Sequence, residues 1–286
     1  MLLTRILSAL VMGVLFALAL FGLSDVAWSA AMLLVIGAAA VEWSGLARLG
    51  STGRYAFVLL VVLLCLGGAL WSGLAWGDTM PARLGWVYWI AALFWLLGVP
   101  LWLWRLPTSV SSFNVAALGL PVLVPAYLAM LQLRTLGAWV LLGIMAIAWI
   151  ADTAAYGFGR WLGRHRLAPR VSPGKTWEGV FGALLTLCLY ILILCYWLDP
   201  SARDAAQGAA QAGWWSALGW LLAATGLLAV ASILGDLFES SLKRHAGVKD
   251  SGWLIPGHGG VLDRLDSQFA LLPLAAWLIL LSPRLP

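Results

Sequence analysis

"EGVFGALLTLCLYILILCYWL", residues 178–198, has one charge, at its first position. A helix of this length is about as long as a bilayer's hydrocarbon core is thick, roughly 30 Å. Its apolar residues run continuously rather than alternating, which predicts a transmembrane helix and not a barrel strand. Outward from it, windows near 6–22, 26–42, 55–73, 85–104, 114–132, 136–156, 214–235 and 267–281 have the same character. Each is close to the roughly 17–25 residues that a crossing takes. Composition agrees. Of 286 residues, 63% are hydrophobic and 10% charged, against about 25% charged in a soluble domain. The chain is therefore expected to be an all-α polytopic membrane protein with about nine transmembrane helices.

Arg5, the apolar run after it and "AWSA" at 27–30 also fit a cleaved signal peptide. In a chain that stays hydrophobic to its end, a retained first helix is the expectation. Cys65, Cys188 and Cys195 all fall in apolar windows, where cysteine behaves as a small hydrophobe. Their spacing suggests neither a disulfide nor a zinc site. The net charge of +5 is not spread as a nucleic-acid surface would be. With the N-terminus cytoplasmic, thirteen basic residues fall in inner segments, and four in outer ones: Arg83, Arg134, Arg203 and Arg284. That asymmetry fits the positive-inside rule. Residues 1–135 are short-looped and poor in charge, and read as a helical scaffold. Residues 136–286 hold two long inner loops, near 157–177 and 236–266, and read as the region that carries the chemistry. The outer segment 199–213 is a simple connector.

A charge retained in a bilayer costs about 2.5–3.5 kcal/mol on insertion scales, so its position is informative. Asp152 lies late in the sixth window, Glu178 opens the seventh, Asp236 closes the eighth and Asp266 opens the ninth. By span counting, all four ends are on the cytoplasmic side. Any one of them alone would be read as snorkelling at an interface, but four beside two basic loops read as a site. Asp236, Ser240 and Lys243 share one face of a helix that runs past the membrane edge, and Asp263 and Asp266 face together at the next helix start. Between these groups lies "GHGG", Gly257 to Gly260. Its glycines let backbone N–H groups approach an anion, and a helix N-terminus favours negative charge. Carboxylates beside such a loop make sense with a divalent cation between them, and Mg²⁺ is commonly held by one or two carboxylates plus substrate phosphates.

The only three lysines, Lys175, Lys243 and Lys249, lie in the two inner loops, where a compact ammonium suits a point contact to phosphate. "SPGKTWEG", residues 172–179, is not a P-loop, because Pro169 stands where that motif needs glycine. Pro173 with Gly174 predicts a turn. Thr176 or Ser172 is the expected cap of the next helix, with Glu178 in its first turn and Lys175 within reach of a phosphate. His258 stays open between proton shuttle, phosphate donor and structural hydrogen-bonding group, with binding and structural roles ahead of catalysis. His165 and His245 read as ordinary loop residues. Trp177 and Trp253 are weak candidates to line a base or lipid pocket.

The run "SSLKRHAGVKDSGWLIPGHGGVLDRLD", residues 240–266, resembles the signature of the phosphatidate cytidylyltransferases, or CDP-diacylglycerol synthases. Ser240, Lys243, Arg244, Lys249, Asp250, Pro256, His258, Gly259, Gly260, Asp263, Arg264 and Asp266 fill its places. "ADTAAYGFGR", "SPGKTWEG" and "GDLFESSLKR" also look like the family, so the resemblance covers roughly 150–270, with "EWSGL" near Glu42 as its only outlier upstream. The family usually has a second lysine where this chain has Gly174. The resemblance implies Mg²⁺-dependent transfer of CMP from CTP to phosphatidic acid in the bilayer, giving CDP-diacylglycerol and pyrophosphate. It implies Asp236 and Asp263 as metal ligands with Asp266 and Asp152 nearby, and Lys243, Asp263, Asp236 and Ser240 at the reaction centre. Lys175, Ser172, Thr176, Arg244, Lys249, His258, Gly259, Gly260 and Arg264 would bind substrate. A second cation and a homodimer stay open, and no nucleic-acid partner is expected. Two rivals remain: an enzyme acting on another lipid or polyprenol phosphate, and a transporter. Transporters place carboxylates near the midplane of broken helices, and here they sit at one edge.

Overall fold

The computed structural model describes residues 2–77, 81–107, 109–198, 214–254 and 259–281. The helices run α1 (Leu2–Gly22), α2 (Asp25–Leu46), α3 (Ser51–Ser72), α4 (Pro81–Leu93), α5 (Val99–Arg105), α6 (Ser112–Thr135), α7 (Ala138–Leu162), α8 (Trp177–Leu198), α9 (Trp214–Ala246) and α10 (Leu262–Leu281). A π-helical turn, Phe94–Gly98, joins α4 and α5 into one continuous rod. Among the described residues, eight helices are long and apolar enough to cross a membrane, counting Arg83–Arg105 as one. The shorter apolar Ser8–Gly22 lies within α1 and covers the first window. The helical membrane architecture read from the sequence therefore holds.

The loops differ from the expectation. Leu162 still belongs to α7, and α9 continues to Ala246. The two inner connections therefore shrink to 163–176 and 247–261. The first contains an antiparallel hairpin of β1 (Arg166–Ala168) and β2 (Ser172–Thr176). Pro173 and Gly174 lie in β2, and the turn falls just before it, at 169–171. Pro173 needs no ladder N–H on this edge, and its carbonyl accepts a 2.6 Å hydrogen bond from the Arg166 guanidinium. Of the two expected caps, Thr176 is the one used. Its Oγ1 accepts from Gly179 N at 3.2 Å, while Ser172 opens the strand.

Small residues bring the helices of the second half together, as they do where lipid offers no hydrophobic drive between helices. A Cβ on Gly182 would strike the Phe158 ring, and one on Gly179 would come within 2.6 Å of the Ala155 carbonyl oxygen. A Cβ on Gly235 would lie 2.5 Å from the Asp266 carbonyl oxygen. The Gly235 contact matters most, because it sets α9 against α10 where both carry carboxylates. Phe238, 1% exposed on α9, is ringed by Trp43, Phe94, Trp95 and Trp102, with centroids 5.6–6.3 Å away.

Two arginines tie the opposite ends of the bundle. Arg134 of α6 donates to the carbonyls of Leu20 and Leu23 and to Asp25, with its guanidinium over Trp28. Arg48, between α2 and α3, donates to the carbonyls of His245 (3.4 Å) and Ala246 (2.9 Å) at the end of α9. Lysine or arginine on those last carbonyls is a favourable helix ending.

Candidate active site

Four helix ends meet on the Arg48 side of the bundle. Asp152 on α7, Asp236 on α9 and Asp266 on α10 are close enough to feel one another's charge and that of Lys175. Lys175 projects from the end of β2 and pairs with Asp236 Oδ2 at 2.5 Å. The hairpin explains how it gets there: the Thr176 cap ties the strand end to α8, whose first turn packs on α7. Asp236 Oδ1 accepts from Ser240 Oγ at 3.2 Å, one turn on. Ser267 Oγ reaches Asp152 Oδ2 at 3.4 Å, and Ser267 N donates to Asp266 Oδ1 at 2.6 Å.

A second group adjoins the first. Lys243 Nζ donates to Asp263 Oδ1 at 2.7 Å and stands 3.4 Å from Glu239 Oε1. Asp263 Oδ2 accepts from Ser251 N (2.9 Å), Ser251 Oγ (3.0 Å) and Gly260 N (2.8 Å). Glu239, 4% exposed, feels Asp236, Asp263 and Asp266. The two groups thus form one continuous acidic basin holding two ammoniums.

The expected residues fall as follows. Asp152, Asp236, Asp263, Asp266, Ser240, Lys175 and Lys243 come together. Arg244, Lys249 and Arg264 are exposed. Thr176 is buried as a cap, and Ser172 lies at the far end of its strand. Glu178 is apart from the other carboxylates: it accepts from His165 N at 3.2 Å and lies 2.7 Å from His165 Nδ1, so His165 has a structural partner. His258 lies outside the described residues, as do Pro256 and Gly257. Gly259 has φ +85°, the left-handed region that favours glycine. Trp253 is exposed.

The glycine loop was expected to offer N–H groups to a bound anion. The anions that receive them here are the protein's own. Gly260 N serves Asp263, and Val261 N (3.0 Å) and Leu262 N (2.9 Å) serve Glu42. Glu42, on α2, is 6% exposed; "EWSGL" sets its neighbourhood apart in the sequence as family-like, without indicating a role for it. Glu239, inside "GDLFESSLKR", is one charge among several there, and nothing in the sequence separates it from its neighbours.

Five carboxylates, Asp152, Asp236, Glu239, Asp263 and Asp266, face two lysines. The surplus is negative and made of hard oxygen donors, which is what Mg²⁺ accepts. Among the described residues, no three such side chains are gathered as a ready metal centre. A cation here would complete its shell with other oxygens, such as phosphate.

The chain is similar to known proteins over most of its length. The cytidylyltransferase family matches residues 3–282. A phosphatidate cytidylyltransferase of Pseudomonas aeruginosa is 37% identical over 252 residues, covering 86% of this chain and 84% of that protein. Proteins of the same name from Haemophilus influenzae and Staphylococcus epidermidis are 43% and 42% identical over 137 and 143 residues. Those two matches span 44% and 50% of the relatives' lengths.

Proposed function

Because the chain belongs to the cytidylyltransferase family, we propose that it transfers CMP from CTP to phosphatidic acid, making CDP-diacylglycerol for phospholipid synthesis. The observation that carries this reading is the pair of ammonium–carboxylate contacts, Lys175–Asp236 and Lys243–Asp263, at the converging ends of four membrane helices.

The chemistry asks little of a general base. A phosphomonoester has its second pKa near 6, so the lipid phosphate is already an anionic nucleophile at neutral pH. Its oxygen bonds to the α-phosphorus of CTP, the bond to the β-phosphate oxygen breaks, and pyrophosphate leaves with the electron pair. The protein's task is to bring two anions together and stabilise the charge that leaves. Lys175 and Lys243 supply fixed positive charge, with Arg244, Lys249 and Arg264 at the rim for the phosphates. Ser240 holds Asp236, and Ser251 with Gly260 holds Asp263. Mg²⁺, held by Asp236 and Asp263 with Asp152 and Asp266 alongside, would neutralise the phosphates and polarise the one under attack.

The protein sits in the bacterial cytoplasmic membrane with this basin facing the cytosol. Support comes from the thirteen-to-four distribution of basic residues and from the substrates: CTP is dissolved and the lipid phosphate lies at the surface. Purified protein given radiolabelled CTP and a panel of lipid phosphates, with and without Mg²⁺, tests the proposal. The expected result is Mg²⁺-dependent labelling of phosphatidic acid. Labelling of a polyprenyl phosphate alone would replace the acceptor, and ion flux without CTP turnover would replace the enzyme by a transporter.

A further inference from the structure

We infer that Glu42 is a positioning residue: from α2 it fixes the first turn of α10 and, through Ser251, sets Asp263 and Lys243. This rests on the reading that those two residues belong to the transfer site.

A buried carboxylate is expensive unless its charge is answered. Among the described residues, no lysine or arginine pairs with Glu42. Its Oε1 accepts from Val261 N at 3.0 Å, and its Oε2 accepts from Leu262 N at 2.9 Å. These are donors that a helix leaves without intrahelical partners at its start, where the helix dipole also favours negative charge. The third contact is Ser251 Oγ, 3.1 Å from Glu42 Oε2 and 3.0 Å from Asp263 Oδ2. A hydroxyl has one proton, so Ser251 donates to one carboxylate at a time and couples them. The result is a chain of contacts: Glu42, Ser251, Asp263, Lys243.

Two glycines follow from the same contact. A Cβ on Gly252 or on Gly260 would strike the Glu42 carboxylate. These positions are small because α2 inserts an acid between them. Glu42 thus reaches across 209 to 220 positions of sequence to clamp both sides of the loop that carries the expected substrate contacts.

The test compares wild type, Glu42→Gln, Ser251→Ala, Ser251→Thr and the Glu42→Gln/Ser251→Ala pair. It uses steady-state kinetics in mixed micelles, with thermal unfolding and gel filtration as folding controls. The lipid is whichever phosphate the wild type converts, so failure on phosphatidic acid bears on the acceptor and not on Glu42. Glu42→Gln keeps the shape but can no longer accept both N–H groups. It is expected to lower kcat about 10- to 100-fold, as loss of a supporting partner does, with KM for CTP unchanged. Ser251→Ala lowers the same parameter and Ser251→Thr restores it. The double variant loses less than the product of the two single losses, because the two substitutions share the Ser251 contact. A folded Glu42→Gln protein with wild-type kcat, or losses that multiply in the double variant, would overturn the inference. If Glu42→Gln does not fold, wild-type kcat in Ser251→Ala overturns it.

Discussion

Asp263 meets four donors on two oxygens: Lys243 on one, and Ser251 N, Gly260 N and the Ser251 hydroxyl it shares with Glu42 on the other. An amide at this position must aim its NH₂ at donors on one side or the other. Asp263→Asn is therefore expected to cut CTP turnover by about 100-fold or more while circular dichroism and membrane insertion stay unchanged. Removing Lys243 is harsher. Lys243→Ala leaves Glu239, 4% exposed, and Asp263 facing each other without an ammonium, and breaking a buried pair costs about 3–5 kcal/mol. That variant should lose both activity and thermal stability, whereas Asp263→Asn loses mainly activity. Equal Tm values for the two would count against the basin described here. Lys243 and Asp263 were legible from type and spacing, because a signature writes its residues close together in sequence. Glu42 was marked only by the family-like "EWSGL", and its role was not legible, because two of its three partners are backbone N–H groups, which carry no residue identity to read.

At the scale of elements, α9 is the decisive helix. Its 33 residues exceed what a bilayer needs, and the surplus carries Asp236, Ser240 and Lys243 beyond the apolar stretch on one face. The three share that face because four and three residues nearly complete a turn, a spacing plain in the sequence. The close approach of α10 depends on Gly235. Gly235→Val is expected to push the helices apart at Asp266, lowering Tm and cutting turnover about tenfold, in line with overpacking costs of about 1–3 kcal/mol. A variant with wild-type Tm would mean that α10 can shift freely there. The hairpin was the element least visible beforehand. Pro and Gly signal a turn on local grounds, yet β2 forms because β1 and the α8 cap supply its partners. Thr176→Val keeps the volume and removes the cap, so it should reduce turnover through Lys175 while affecting stability by only about 1 kcal/mol. Turnover matched to wild type would show that Lys175 does not depend on that cap.

For the whole molecule, the arrangement predicts sidedness. Cysteines placed at 170 and 249 in a background lacking the native three should react with an impermeant thiol reagent from the same face of the membrane, and one at 136, between α6 and α7, from the other. Labelling of 170 and 249 from opposite faces would dismantle the basin, because Lys175 and Lys243 would no longer be neighbours. The sequence by itself determined the class of the protein and the end of the bundle where its carboxylates and lysines gather. Burying backbone in lipid leaves continuous apolar helices as the form such runs can take, and charges gather at the edge because the interior excludes them. Only the tertiary structure decided which groups touch. The contact from α2 to the glycine loop and the fit of Gly235 on α10 depend on ångström-scale packing between segments far apart in the chain, and hydropathy, which sums over a window, carries no record of that distance.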